Sequence, residues 1–316
     1  MSEAIKDSDK GHWVNRSPLS VRPFLQLSRL DRPVGYWLLA LPGWIGLAFA
    51  TLSHGLEVSD LKWAVLILIG AIAMRGAGCT YNDIVDQDLD AQVERTALRP
   101  LPAGTITTKQ AWIWLLAQCG VGLIVLLCLP RLAQIISLCS IPLVAAYPFM
   151  KRITWWPQLW LGLTFNWAVL VAYAAKTGVV STPLFILYAG LIFWTVGYDT
   201  IYACQDIEDD MKIGVKSTAR LAKNNVAKFV YHFYGICLTL VFLAIVTELT
   251  FRVNLVLVAV ILVFPFGFHL RTQSLALEKK GGKPIYLKLF KSNISSAILL
   301  ISTLVSYSFF SRIEAF

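Results

Sequence analysis

The sequence predicts an all-α fold: a multi-pass membrane protein of about nine transmembrane helices. Three observations carry this. The 316-residue chain is 57% hydrophobic and 15% charged, whereas a soluble domain has about 25% charged residues. Its mean hydropathy is +0.63. Its apolar residues come in blocks of roughly 20, the length that crosses a bilayer. No hydrophilic stretch is long enough for a separate soluble domain.

Residues 1–21 are polar and mixed in charge, without the apolar core of a signal peptide. They are expected to form a disordered cytosolic tail, leaving 22–316 as the membrane domain. Apolar blocks place spans at 33–53, 63–81, 111–129, 132–149, 158–176, 183–204, 229–247, 253–270 and 294–311. The sixth and ninth are the least clean, being rich in Tyr, Thr or Ser. With this count, 22 of the 28 Lys and Arg residues fall on the side of the N-terminus and five on the other, with Arg75 inside the second span. By the positive-inside rule the N-terminus is cytoplasmic and the C-terminus outside. The net charge of +9 is then membrane topology and not a nucleic-acid footprint. None of the six cysteines forms a CxxC pair, so neither a zinc site nor a disulfide framework is indicated.

The end of the second span carries the densest chemistry. Asp83, Asp86, Asp88 and Asp90 fall within nine residues. Asp83, Asp86 and Asp90 are spaced i, i+3, i+7 and share one face of a helix; Asp88 does not. At about 4 Å and an effective dielectric near 20, each like pair costs roughly 4 kcal/mol, so the cluster needs a cation. A second cluster, Asp199, Asp206 and Asp210, ends the sixth span on the same predicted side of the membrane. Asn82-Asp83-Ile-Val-Asp86 aligns with Gln205-Asp206-Ile-Glu-Asp209, 123 residues on. The match suggests two pseudo-repeated four-helix units, plus one helix, facing each other across a cavity. Two acidic faces suit magnesium, which joins carboxylates to substrate phosphates.

Cations accompany the acids: Arg95 and Arg99 after the first cluster, Lys151 at the end of the fourth span, Lys212 and Lys216 after the second cluster. They suit a diphosphate leaving group. Each also counts toward the basic cytoplasmic face. Arg29 and Arg32, ahead of the first span, fit an anionic substrate or lipid headgroups equally well. Arg75 fits a carboxylate substrate, an acidic partner or snorkelling to the interface.

These residues resemble a family. Asn82-Asp83-x-x-Asp86-x-x-x-Asp90 followed by Arg-Thr-x-x-Arg-Pro-Leu-Pro-x-Gly is similar to the first motif of the UbiA superfamily of intramembrane prenyltransferases. Tyr198-Asp199-Thr-x-Tyr-Ala-x-x-Asp206-x-x-Asp209-Asp210 is similar to the second, and Tyr147-x-x-x-Lys151 to the shorter basic motif. Tyr-Pro-Phe-Met-Lys-Arg and the Leu-Asp-Arg-Pro-x-Gly lead-in resemble the members that prenylate 4-hydroxybenzoate in ubiquinone synthesis. Asn293-Ile-Ser-Ser-Ala297 departs from the pattern, which tends to have Arg after the Asn and Gly at the end.

The resemblance implies nine helices around a central cavity. It implies that Asp83, Asp86, Asp90, Asp206 and Asp210 hold Mg2+ and the diphosphate, with Asn82 assisting and Lys151 on the phosphates. Arg95, Arg99, Lys216, Arg29 and Arg75 are the further substrate-binding candidates, and Asp199 is expected to orient the acceptor. The implied substrates are polyprenyl diphosphate and 4-hydroxybenzoate, within the lipid bilayer and with no obligate protein partner. The same chemistry on a naphthoate, homogentisate, haem or chlorophyllide ring is the first alternative. A cation transporter is the second, disfavoured because the acids sit at helix ends and not at the bilayer midplane. The N-terminus lacks an Arg- and Ser-rich transit composition, which points to a bacterial inner membrane.

Overall fold

A computed structural model describes residues 11–91, 96–212, 214–249, 253–279 and 282–313. Among them every regular element is helical. Nine helices among the described residues are long and apolar enough to cross a membrane: Val34–His54, Ser59–Val85, Thr108–Leu127, Arg131–Ile153, Pro157–Thr177, Thr182–Ala203, Thr218–Glu248, Leu255–Glu278 and Pro284–Ser311. They are the first to ninth spans below, and they agree in number and order with the apolar blocks.

Local sequence sets the ends. Thr107 caps the third span in a reciprocal box with Gln110: the Gln110 amide donates to the Thr107 hydroxyl (3.2 Å) and the Thr107 amide to the Gln110 side chain (2.9 Å). Ser181 caps the sixth span by accepting from the Leu184 amide. The fifth span stops at Gly178, whose left-handed backbone no helix continues.

Four ends differ most from expectation, among them the start of the seventh span, at Thr218 and not 229. The second span runs on to Val85, so Asn82 and Asp83 lie in its last turn. The eighth runs to Glu278, and the ninth begins at Pro284, ten residues early. The added turns are polar, which apolar block length cannot detect. They hold together because their polar groups satisfy one another: Tyr234 donates to Gln273 (2.7 Å), Gln273 to Ser292 (2.9 Å) and Trp194 to Asn293 (2.9 Å). Asn293 is thus buried inside the ninth span and not part of a loop.

The chain forms two compact units, the described parts of Met1–Ala40 with Leu68–Cys128 and of Leu41–Ile67 with Leu129–Phe316. In the first, Leu27, Leu101, Ile106 and Ala111 form a core with Phe24, Ile84 and Trp114 against it. That core ties the short helix Arg22–Leu27, the loop after the first acidic motif and the third span together. Residues 1–10 lie outside the described residues. Trp13–Arg16 forms a 3-10 helix with Val14 fully buried, and Gln26 donates to Asn15. The expected disorder therefore does not reach these four residues.

In the second unit the sixth span is central, packed by the seventh, the ninth and the Pro157–Phe165 half of the fifth. Trp194, Tyr198, Tyr234 and Phe266 are buried there. Leu116, Ile124, Phe264, Phe268 and Phe310 are exposed along other spans, as side chains that face lipid would be.

Candidate active site

In the first unit the second span ends at Val85, Asp86 interrupts it, and a single turn follows over Gln87–Asp90. The expected continuous helix is therefore broken at Asp86. The acids still share one side, because the Asp86 amide donates to the Asn82 carbonyl (2.9 Å) and the Asp90 amide to the Asp86 carbonyl (2.8 Å), keeping helical spacing across the break. Asp83 and Asp86 are fully buried and Asp90 is 8% exposed. Asp88 is exposed, as the one-face reading requires.

The cation that this face needs is supplied by arginine. Arg29 Nη2 lies 2.6 and 2.8 Å from the two oxygens of Asp83. Arg99 Nη1 bridges Asp83 (3.3 Å) and Asp90 (2.6 Å). Two arginines on two aspartates neutralise most of the repulsion that three carboxylates alone would suffer. Burial alone would lower the Arg29 pKa; the Asp83 carboxylate, Cys79 and Asp31 together outweigh it, and the net shift is upward. Arg29 also has a left-handed backbone, φ 57°, uncommon for a side chain with a Cβ.

Arg99 is placed by its loop. Its amide donates to the Thr96 carbonyl, Thr105 and Ile106 close onto the Pro100 carbonyl, and Thr96 donates its hydroxyl to the Asp90 carbonyl (2.7 Å). Arg75 stands against the start of the first span: a Cβ on Gly35 would lie 2.8 Å from its Nε. Arg95 lies outside the described residues.

In the second unit the second acidic cluster also lies at a helix end. The sixth span ends at Ala203, the chain breaks, and Ile207–Lys212 forms the next helix. The Asp210 amide donates to the Asp206 carbonyl at 2.8 Å. Asp199, Asp206 and Asp210 are half-buried, while Glu208 is exposed. Burial pushes the neighbouring Cys204 thiol up to about 12.

Lys151 and Lys216 are brought together: the Lys216 amide donates to the Lys151 carbonyl at 3.0 Å. The Lys216 ammonium donates to the Ile153 carbonyl at 3.1 Å. Its side chain thereby staples the loop to the fourth span. Sequence reasoning missed Arg220, counted there as a basic-face residue. Its guanidinium donates to the Asp210 carbonyl (3.2 Å) and the Val215 carbonyl and lies 5.3 Å over the Trp155 ring. Gln158 accepts from the Thr218 amide at 3.0 Å. The one local signal for this fold-back is Ser217, a helix cap three residues before Arg220.

Among the described residues no three His, Cys, Asp or Glu side chains converge to hold a metal on their own. That does not disqualify magnesium, which takes one or two carboxylates, waters and substrate phosphates in place of an all-protein cage. An all-oxygen donor set, buried and already balanced by cations, fits such an ion.

The sequence model of the UbiA prenyltransferase family matches residues 39–310. The chain belongs to the UbiA prenyltransferase family. Among curated relatives of this UbiA chain, the mitochondrial 4-hydroxybenzoate polyprenyltransferase of Bos taurus is 46% identical over 226 residues, covering 70% of this chain and 59% of that protein. The Homo sapiens protein of the same name is 47% identical over 212 residues, 65% of this chain and 55% of that one. The chain thus spans less than two thirds of the length of these relatives. Among solved structures, a UbiA homologue from Archaeoglobus fulgidus bound to GPP and Mg2+ superposes with a TM-score of 0.67 at 18% identity, covering 90% of this chain and 99% of that one. An apo UbiA homologue from Aeropyrum pernix K1 gives 0.64 at 22% identity, covering 89% and 98%. These likenesses establish the fold.

One expectation is corrected. The curated relatives are named mitochondrial, which overturns the assignment to a bacterial inner membrane. Transit composition is a receptor-read address, separate from the physics that folds the helices, so it was a poor guide to the compartment.

Proposed function

We propose that this chain transfers a polyprenyl group from polyprenyl diphosphate to the ring carbon of 4-hydroxybenzoate ortho to its hydroxyl, in a magnesium-dependent reaction. The observation that carries the reading is the buried face of Asp83, Asp86 and Asp90, balanced by Arg29 and Arg99, in a UbiA chain 46% identical to a protein named 4-hydroxybenzoate polyprenyltransferase.

In this reading the bond between the first prenyl carbon and the diphosphate oxygen breaks, and its electron pair leaves with the diphosphate. A ring carbon–carbon bond forms, and the ring proton goes to solvent or a nearby base. Magnesium supplies charge stabilisation for the leaving diphosphate. Asp83, Asp86, Asp90, Asp206 and Asp210 are its proposed carboxylates, with Asn82 beside them. Arg29, Arg95, Arg99, Lys151 and Lys216 are the proposed cations for the phosphates, with Arg75 and Asp199 toward the acceptor. Stabilising developing charge with fixed cations is commonly the largest catalytic term. The apolar spans suit a polyprenyl tail and exclude water from an allylic cation.

The described part of 22–316 is proposed to act as one membrane domain, and the relatives' names support a mitochondrial membrane. Purified protein given Mg2+, a polyprenyl diphosphate and labelled 4-hydroxybenzoate tests the reading. Prenylated product that disappears with EDTA and with Asp86→Ala is expected. No product from wild type under any of these conditions would sink it.

A further inference from the structure

Arg29 is where the first unit spends conformational strain. A left-handed backbone at a residue other than glycine costs on the order of 1 kcal/mol or more and persists when its surroundings impose it. The residue before it shows how. Ser28 is 4% exposed. Its hydroxyl donates to the Phe24 carbonyl at 3.0 Å. It accepts from the Trp114 indole at 2.7 Å and from the Gln118 amide. One donor and two lone pairs are thereby all used.

Both donors come from the third span, one turn apart, so a rigid helix grips the residue that precedes the strained one. The second span leaves room for the grip. A Cβ on Gly76 would lie 2.9 Å from Gln118 Nε2 and 3.2 Å from Ser28 Cβ, so a larger residue there would press into both. Asp83 lies seven residues further along that span, with Arg29 on both its oxygens.

We infer that Ser28, Trp114 and Gln118 are positioning residues: through the Ser28 hydroxyl they hold the left-handed turn at Arg29 and so keep its guanidinium on Asp83, where it competes with a divalent cation for the same carboxylate until diphosphate arrives. The inference rests on the prenyl-transfer reading above. Its consequence is directional. With Arg29 on Asp83, metal alone meets an occupied carboxylate. When metal arrives with diphosphate, Arg29 is already within the site and has phosphate oxygens to bind. Loosening the turn therefore favours metal alone and disfavours metal with diphosphate. A merely structural role would weaken both or neither.

The test uses the full chain in detergent micelles with two probes. Mn2+ alone is followed by electron paramagnetic resonance of the free ion. A non-reactive prenyl thiolodiphosphate is titrated at saturating Mn2+. Ser28→Ala and Trp114→Phe are expected to bind Mn2+ alone about tenfold tighter and the thiolodiphosphate about tenfold weaker, an ordinary size for coupling between two bound groups. Ser28→Thr, which keeps the hydroxyl, is expected to stay near wild type for both. Wild type that binds the probes with variants unchanged, or shifted in one common direction, overturns the positioning role alone. Wild type that binds neither probe overturns this inference together with the prenyl-transfer reading.

Discussion

Arg29 and Asp83, 54 residues apart in sequence, form a buried pair in which one guanidinium nitrogen serves both carboxylate oxygens, at 2.6 and 2.8 Å. The pair makes the acidic face tolerable before any metal is bound. The Arg29 guanidinium does not titrate in the usable range. A raised folded-state pKa gives stability that is full below the unfolded value and lost only as pH rises through the folded one. For arginine both lie above any working pH. Arg29→Met leaves Asp83 with Arg99 alone and should cost about 3 kcal/mol, the low end for breaking a buried pair. Thermal unfolding in detergent measures it, and the loss should be the same at pH 7 and pH 9.

The face assignment separates two neighbours. Asp86 is fully buried and Asp88 exposed. Asp86→Asn should lower turnover by about a thousandfold or more, roughly 4 kcal/mol of transition-state stabilisation. Asp88→Asn should stay within about twofold, as surface changes do. Equal losses in a steady-state assay would refute the assignment.

The second unit's loop hangs on Arg220, which joins two backbone carbonyls and the Trp155 face. Arg220→Ala should raise KM for the prenyl diphosphate by about tenfold while moving kcat less, since it loosens binding geometry more than it removes a reacting group. Arg220→Lys should restore it only in part, because an ammonium can donate to the carbonyls but cannot lay a planar guanidinium over the Trp155 ring.

A pair remote from the acids gives a stability control. Lys176 donates to Asp60 at 2.5 Å, with the lysine side chain 1% exposed. Lys176→Met strands a carboxylate and should cost about 3 kcal/mol; Lys176→Met with Asp60→Leu should recover most of it. Unfolding midpoints report both, and activity below the midpoint should not change.

What could be read in advance follows from the range of each interaction. The nine spans were legible because bilayer crossing imposes a block length that apolar residues record locally. The buried side of Asp83, Asp86 and Asp90 was legible because helical spacing is local too, and it survives the break at Asp86. Arg29 was legible as a charge of interest, but its partner was not. The contact crosses 54 residues and needs a left-handed arginine, which no propensity favours. Ser28, Trp114 and Gln118 read as ordinary polar and aromatic residues until the third span lies beside them. Lys216 was legible as a charge, but the fourth-span carbonyl that its ammonium meets was not, because loop geometry fixes that contact. The polar end of the eighth span and start of the ninth escaped because Gln273 donates to Ser292 and Asn293 accepts from Trp194 across helices, which composition along one segment does not register.

The most direct measurement uses 4-hydroxybenzoate deuterated at both carbons ortho to the hydroxyl, incubated with the protein, Mg2+ and a polyprenyl diphosphate, with the product weighed by mass spectrometry. Transfer to the ring carbon predicts a prenylated product that has lost one deuterium of the two. Product that keeps both, as an ether or ester would, or no product at all, contradicts the account.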